Sequence, residues 1–416
     1  MTTPAAAPIR YDGRDHAAAK HFVAGAHRAM PPEETLERVR PHLAKGGITR
    51  IADVTGLDTI GLPVAVATRP ASGTLAVEGG KGATFAAAMA SAAMEAIERF
   101  VAETFPIEKV WATTGEMADR LPCAVQEFPV SRHTSIATDR RYAWSMMRDL
   151  HDDAEWWVPS DLVVLPTGVM VPNLSHPWAA GSNGLASGND LLEALCAGLY
   201  EVIERDATTC WRSAGSRGGV PLLVVDQDSL SGPVLPGLLD VLDRAGADAV
   251  IAWCPTDIGV PVAMAYVVDR ERGIGLYQGY GCHLDPEIAV IRAVTEAVQS
   301  RTIIVSGARD DQLRPVYEAM KRSDVYAAAA VVDRQELVSL SDIPSLATPT
   351  FEGDVRVVLD RLARAGFHRV LARELDASQF EASVARVLVP GLAPHDFAWV
   401  DVGERARTFD AWAYVP

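Results

Sequence analysis

The triplet Glu-x-Ile-Glu-Arg occurs twice in this chain, as Glu95–Arg99 within SAAMEAIERFVAE and as Glu201–Arg205 within GLYEVIERDATT, 106 residues apart. Both copies are embedded in Ala, Met, Ile and Leu, so neither helix offers an evidently polar face to hold its glutamates. In the first segment Ser91, Glu95 and Glu98 fall at i, i+4 and i+7, one stripe of a helix. In the second, Glu201 and Glu204 are i and i+3, Arg205 follows, and Glu193 lies two turns earlier. A third segment, RAVTEAVQSR, places Arg292, Glu296 and Gln299 at i, i+4 and i+7. Each of the three follows a glycine-rich stretch: EGGKGAT, GSNGLASGN and GLYQGYGCHLDPE.

Charged residues on helices are usually solvated faces, and a single ExxER would be read that way. The recurrence, the apolar flanks and the cation or amide beside each carboxylate favour a shared site instead. Several buried carboxylates cannot coexist without compensation, because desolvating even one costs several kcal/mol. Hard divalent ions supply it, and Mg²⁺ typically retains waters and bridges to phosphates. Glycine-rich turns at helix N-termini would offer N–H groups to the same phosphates, and Arg and Lys would complete an anion clamp. The reading is a Mg²⁺-nucleotide site built from three helices.

Familiar alternatives fail on spacing. GGKGAT lacks the Walker arrangement, and no GxGxxG opens a strand–helix–strand unit. No kinase set, HExxH or GxSxG is present. A net charge of −16 excludes a general nucleic-acid or anionic-membrane surface. No apolar run is long enough to span a bilayer, and there is no signal core. The five cysteines contain no CxxC, which fits a reducing, cytoplasmic setting; Cys196 and Cys282 read as structural.

Along the chain, residues 1–27 are an Ala/Pro-rich lead-in. A helix is expected over 31–47, strands over 48–54, 62–70 and 73–79, and an Ala-rich helix over 85–103. Short strands and loops fill 106–180, and a second helix covers 191–210. Strands alternate with one helix over 220–270, and a third glutamate-bearing helix covers 288–304. The portion 312–416 holds a helix, a Ser/Asp/Pro-rich linker at 338–350, a helix at 353–366 and terminal strands. The class is α+β, a mixed chain with no simple βαβ repeat.

Taken together, ITRIADVTGLDTIGLPVAVATRP, GGKGAT, SAAMEAIERF, GSNGLASGNDLLEA, GLYEVIERDA and GYGCHLDPEIAVIRAVTEAVQSR resemble the YcaO-domain family, in order from about residue 28 to 311. The resemblance implies one domain over 28–416, with core motifs in 28–311 and a C-terminal portion in 312–416. It implies the YcaO-type ATP-binding fold, with strands and glutamate-bearing helices around a central nucleotide cleft. ATP and Mg²⁺ are the implied cofactors. Matching residue by residue, Glu95, Glu98, Glu201, Glu204 and Glu296 fall on the metal-holding glutamates. Ser91, Arg99, Asn183, Asn189, Glu193, Arg205, Arg292 and Gln299 fall on nucleotide-site positions. Arg28 and Thr35 in HRAMPPEET resemble upstream phosphate- and nucleotide-contacting positions, and Lys81 lies in the GKG turn. Arg292 stands where some members carry Gln.

Family members activate a peptide backbone amide with ATP during maturation of ribosomally made peptides. A nucleophile adds to the amide carbon, and the resulting oxygen leaves as phosphate. The chain ends DAWAYVP without the proline-rich PxPxP tail of partner-dependent azoline formers. The resemblance therefore points to the stand-alone or TfuA-associated branch. The expected activity is cyclodehydration to an azoline or macrocyclic amidine, with TfuA-assisted thioamidation as the alternative. A different class remains open, a non-catalytic, nucleotide-regulated scaffold for a precursor peptide. Implied partners are a precursor peptide, a TfuA-like protein and a second copy of the chain in a homodimer.

Overall fold

The computed structural model describes residues 7–166, 177–218, 220, 222–230, 232–270, 276–307, 314, 335–397 and 399–415. The helix expected after 312 and the closing Pro416 lie outside the described residues. The chain divides into two compact units with interleaved segments. One unit comprises Met1–Lys20, Ile97–Ser213 and Thr348–Phe409; the other comprises His21–Ala96, Ala214–Ala347 and Asp410–Pro416.

The first unit is organised on an antiparallel sheet ordered Val110–Ala112, Tyr142–Asp149, Leu371–Leu375, Ser383–Leu388, Leu185–Gly188, with Glu155–Pro159 also paired to Tyr142–Asp149. Ser383–Leu388 is inner and buried almost throughout, which explains its Val/Ala/Leu composition and makes its arginine, Arg386, exceptional. Beyond the sheet, Phe351–Arg364 forms the helix expected near 353–366, with Thr350 accepting from the Gly353 N–H at 3.3 Å as its cap. The lead-in is packed into this unit. Ile9–Tyr11 pairs with Arg14–His16, and Lys20 Nζ lies 2.6 Å from Asp354, both side chains buried.

The second unit carries a three-stranded antiparallel sheet (Arg50–Asp53, Val64–Thr68, Val77–Lys81) and a five-stranded one. The latter runs Leu276–Cys282, Val262–Asp269, Ala247–Trp253, Leu222–Val225, Gln335–Val338; only the last pairing is parallel. Val262–Asp269 reads as a nearly unbroken apolar run because both its faces are covered. A buried ion cluster belongs to the core here: Arg301 Nε donates to Asp58 at 2.8 Å and its Nη2 to Asp269 at 3.4 Å.

Candidate active site

Three glutamate-bearing helices follow three strands. Val77–Lys81 (β1) leads to Phe85–Thr104 (α1), Leu185–Gly188 (β2) to Leu191–Ser216 (α2), and Leu276–Cys282 (β3) to Pro286–Ser306 (α3). The expected strand at 73–79 is therefore shifted, and the glycines of EGGKGAT lie largely in β1 rather than in a turn. Their purpose is close approach. A Cβ on Gly80 would stand 2.2 Å from the Ala88 carbonyl oxygen and the Ala92 nitrogen of α1. A Cβ on Gly279 would meet Ala293 O and Ala297 N of α3 at 2.2 Å, and one on Gly188 would meet Ala194 N of α2 at 2.5 Å. Strand and helix backbones touch, and only glycine against alanine permits it.

The helix N-termini are spoken for as well. Thr84 Oγ1 accepts from Ala87 N at 3.1 Å, and Asp190 Oδ1 from Leu192 N and Glu193 N at 2.9 and 3.0 Å. Asp285 Oδ1 accepts from Glu287 N and Ile288 N at 3.0 and 3.3 Å. The expectation that glycine-rich turns present these N–H groups to phosphates is corrected for five of them: side-chain caps take Ala87 N, Leu192 N, Glu193 N, Glu287 N and Ile288 N, and two of the caps are carboxylates that repel an anion.

The stripes themselves are where the helices open. From Leu191 to Trp211, α2 is buried at every position except Ala197, Glu201 and Arg205, spaced i, i+4, i+8. From Ile288 to Ile303, α3 is buried except at Arg292, Glu296, Gln299 and Ser300. In α1, Ser91, Glu95 and Arg99 are partly open while Ala92, Ala93, Ala96 and Ile97 are fully enclosed. In α2 and α3 the openings thus fall mainly at charged or amide side chains, whereas α1 also leaves Phe85, Met94 and Phe100 at least partly open.

In the first unit, Glu98, Glu193 and Glu204 are buried at 6%, 4% and 2% exposure. Ser187 Oγ donates to Glu98 Oε2 at 3.2 Å, and Asn189 donates to Glu193 through N at 3.3 Å and Nδ2 at 3.1 Å. Arg205 spans Glu204, 3.4 Å from Nη1, and Glu201, 4.0 Å from Nη2. Asn183 lies beside Glu201 and Arg205, its Oδ1 buried with no hydrogen-bond partner among the described residues. Glu98, Glu201, Glu204 and the amide oxygen of Asn183 make a set of hard oxygen donors in this unit, the donor chemistry that Mg²⁺ takes.

In the second unit, Lys81 Nζ is ion-paired with Glu296, and Gln299 packs on β1 so closely that a Cβ on Gly79 would meet its Nε2 at 2.4 Å. Arg292 Nε is buried without a hydrogen-bond partner among the described residues. Arg28 Nη1 donates to His27 O at 3.3 Å, and Thr35, 5% exposed, donates to Pro31 O at 3.3 Å within its own helical turn. The hard oxygen donors Glu95 and Glu296 belong to this unit together with Lys81 and Arg292.

Reading the sequence missed Arg386, Ser187 and Asp206. Arg386 sits in Ser383–Leu388 (β4), and a lone arginine in SVARVL was the available signal. Burial lowers its pKa to about 10, against the pull of Glu201 and Glu98. Asp206, fully buried, accepts from Ala393 N at 2.7 Å and Arg405 Nε at 2.7 Å, tying α2 to the chain after β4. All five cysteines are free, and burial raises the Cys196 thiol well above the ordinary range, so it is a core residue and no nucleophile. Among the described residues no helix is long and apolar enough to cross a membrane.

Residues 79–393 match the family model described as YcaO cyclodehydratase, ATP- and Mg²⁺-binding. An uncharacterized protein of Methanothermobacter thermautotrophicus is 35% identical over 92% of this chain and 99% of its own length. An uncharacterized protein in the tfuA 3′ region of Rhizobium leguminosarum bv. trifolii is 34% identical over 88% of each chain. Among solved structures, YcaO from Methanopyrus kandleri bound with AMPPCP and Mg²⁺ superposes with a TM-score of 0.70 at 24% identity, covering 90% of this chain and 95% of that one. A heterocyclase in complex with substrate and cofactor superposes with a TM-score of 0.75 at 21% identity, covering 93% of this chain; this chain spans 54% of the heterocyclase. The fold is the YcaO fold. The chain belongs to the YcaO family of ATP- and Mg²⁺-binding cyclodehydratase enzymes.

Proposed function

We propose that the protein activates a backbone amide of a ribosomally made precursor peptide, with Glu95, Glu98, Glu201, Glu204 and Glu296 holding Mg²⁺. Ser91, Arg99, Asn183, Asn189, Glu193, Arg205, Arg292, Gln299, Lys81, Arg28 and Thr35 serve the nucleotide. The observation that carries this reading is that α2 and α3, otherwise buried over most of their length, open at Glu201 and Arg205 and at Arg292, Glu296 and Gln299, with the buried carboxylates Glu98, Glu193 and Glu204 beside hydrogen-bond donors or a cation. Bound Mg·ATP supplies the phosphoryl group that turns an amide oxygen into leaving phosphate.

The chain's own residues position and neutralise. Arg205 holds Glu201 and Glu204 and contributes a cation to the phosphate-bearing region. Lys81 neutralises Glu296. Ser187 and Asn189 orient Glu98 and Glu193 through hydrogen bonds, which keeps these carboxylates as ligands and orienting groups rather than free bases.

For the product, the family's description supports cyclodehydration in general, and an azoline or macrocyclic amidine is the form of it proposed here. Thioamidation with a TfuA-like partner is favoured by one specific observation, the relative in a tfuA 3′ region. Co-expression with a precursor peptide, with and without a TfuA-like protein, decides by mass spectrometry: loss of one water marks cyclodehydration, and exchange of one oxygen for sulfur marks thioamidation. A peptide left unmodified while phosphate is released at the basal rate would contradict both.

A further inference from the structure

A cavity of about 140 Å³ lies within the unit of the antiparallel six-stranded sheet. Arg386, 1% exposed, lines it from β4. Three of its bonds go to main-chain carbonyls: Nε to Val163 at 3.1 Å, Nη1 to Gly181 at 2.9 Å and to Asn183 at 2.8 Å. Nη2 has no partner. Asn183 lines the same cavity, and its Oδ1 is equally buried and unpartnered among the described residues. A buried donor or acceptor left unsatisfied is costly, and such groups in one cavity mark a place completed by a ligand.

The remaining walls define the ligand. Glu201 and Arg205 contribute both signs of charge to the rim. Phe397 and Trp399, stacked at 5.9 Å with planes 5° apart, supply an aromatic wall, and Leu162 and Val387 are apolar. Without a bound metal ion, a free anion would meet the Glu201 carboxylate and the Asn183 oxygen; a free cation would meet two guanidinium groups. A neutral group with one acceptor and one donor on neighbouring atoms satisfies both orphaned atoms, and that group is an amide.

We infer that this cavity seats a backbone amide of the peptide substrate, its carbonyl oxygen accepting from Arg386 Nη2 and its N–H donating to Asn183 Oδ1, with the adjoining side chain against Phe397 and Trp399. The inference rests on the peptide-amide reading above; it assigns Arg386, which that reading leaves unused, as a substrate-contacting residue, and gives Asn183 Oδ1 to the peptide in place of the nucleotide. It also accounts for a guanidinium in the middle of a buried strand, where Met or Leu would be cheaper to bury.

The test uses acetyl-glycine N-methylamide as probe, titrated by saturation-transfer NMR against wild type, Arg386→Lys and Ala180→Trp, with thermal unfolding and Mg·ATP titration of each. Ala180→Trp fills the cavity from its rim and leaves the main-chain bonds of Arg386 in place, so it carries the test if Arg386→Lys fails to fold. The expected result is saturable binding to wild type, weakened at least about tenfold in the folded variants, the loss of one charge-assisted hydrogen bond or of the space itself. Equal binding to wild type and Ala180→Trp overturns the inference, as does displacement of the diamide by inorganic phosphate in the absence of Mg²⁺, which would mark an anion seat. Wild type that binds Mg·ATP but not the diamide overturns this inference alone; wild type that binds neither overturns the reading beneath it.

Discussion

Arg205 grips two glutamates of its own helix at once, 3.4 Å from Glu204 and 4.0 Å from Glu201. The two contacts differ in kind, because the Glu204 side chain is 2% exposed and that of Glu201 is 22% exposed. Breaking a buried pair by removing one partner typically costs about 3–5 kcal/mol, whereas a partly solvated pair contributes about 1 kcal/mol or less.

Arg205→Met is therefore expected to lower the unfolding midpoint substantially and to abolish nucleotide binding. Glu201→Gln is expected to abolish nucleotide binding while leaving the midpoint nearly unchanged. Thermal unfolding paired with nucleotide titration reads both. Two variants with the same stability would mean that the burial contrast between Glu204 and Glu201 has no energetic meaning.

The strand glycines give a sharp contrast. Gly80→Ala and Gly279→Ala each force a Cβ to 2.2 Å from helix backbone, and a cost of about 1–3 kcal/mol or more is expected. Gly181→Ala meets nothing within 4 Å and should change stability by no more than about 0.5 kcal/mol. Denaturant midpoints suffice, and a neutral Gly80→Ala would refute the close-packing role.

These glycines also show where the sequence was legible and where it was not. The three charged stripes follow from helical spacing, a local property; Glu95, Glu201, Arg292, Glu296 and Gln299 of them lie where the helices open, while Glu98, Glu193 and Glu204 are buried. Gly80 reads locally as turn punctuation, yet its role is set by Ala88 and Ala92, whose helix lies against it only after folding. Thr84, Asp190 and Asp285 likewise read as linker residues and turn out to cap the helices. Arg386 was overlooked because a charge in an apolar strand has no spacing partner; its three carbonyl acceptors come from residues 163, 181 and 183.

Burial raises the pKa of Glu287 above the ordinary carboxylate value of 4.5, with Asp285 adding to the effect. A carboxyl whose pKa is raised by folding favours the native state only while protonated, and that contribution is lost as pH rises through the folded pKa. Glu287→Gln should therefore raise the unfolding midpoint at pH 7 to 8, and the gain should vanish as pH falls below 4.5. A gain that grew on acidification would show that the sign is wrong.

Asp354 accepts from Lys20 Nζ at 2.6 Å, Tyr200 Oη at 3.0 Å and Thr348 N at 2.7 Å, with its side chain 1% exposed. Lys20→Met strands this carboxylate, and a loss of about 3–5 kcal/mol is expected. Tyr200→Phe removes one neutral donor and should cost about 1–2 kcal/mol. Urea denaturation of the two variants orders them, and the reverse order would mean that Lys20 does not anchor the N-terminal segment.

The central claim is that the charged lines on the three helices hold Mg·ATP. The most direct measurement is calorimetric titration of Mg·AMPPNP into wild type, Glu204→Gln, Glu296→Gln and the exposed control Asp240→Asn, with each fold verified by thermal unfolding. Affinity is predicted to fall at least about tenfold in both glutamate variants and to stay unchanged in Asp240→Asn. Wild-type affinity in folded Glu204→Gln and Glu296→Gln would contradict the account.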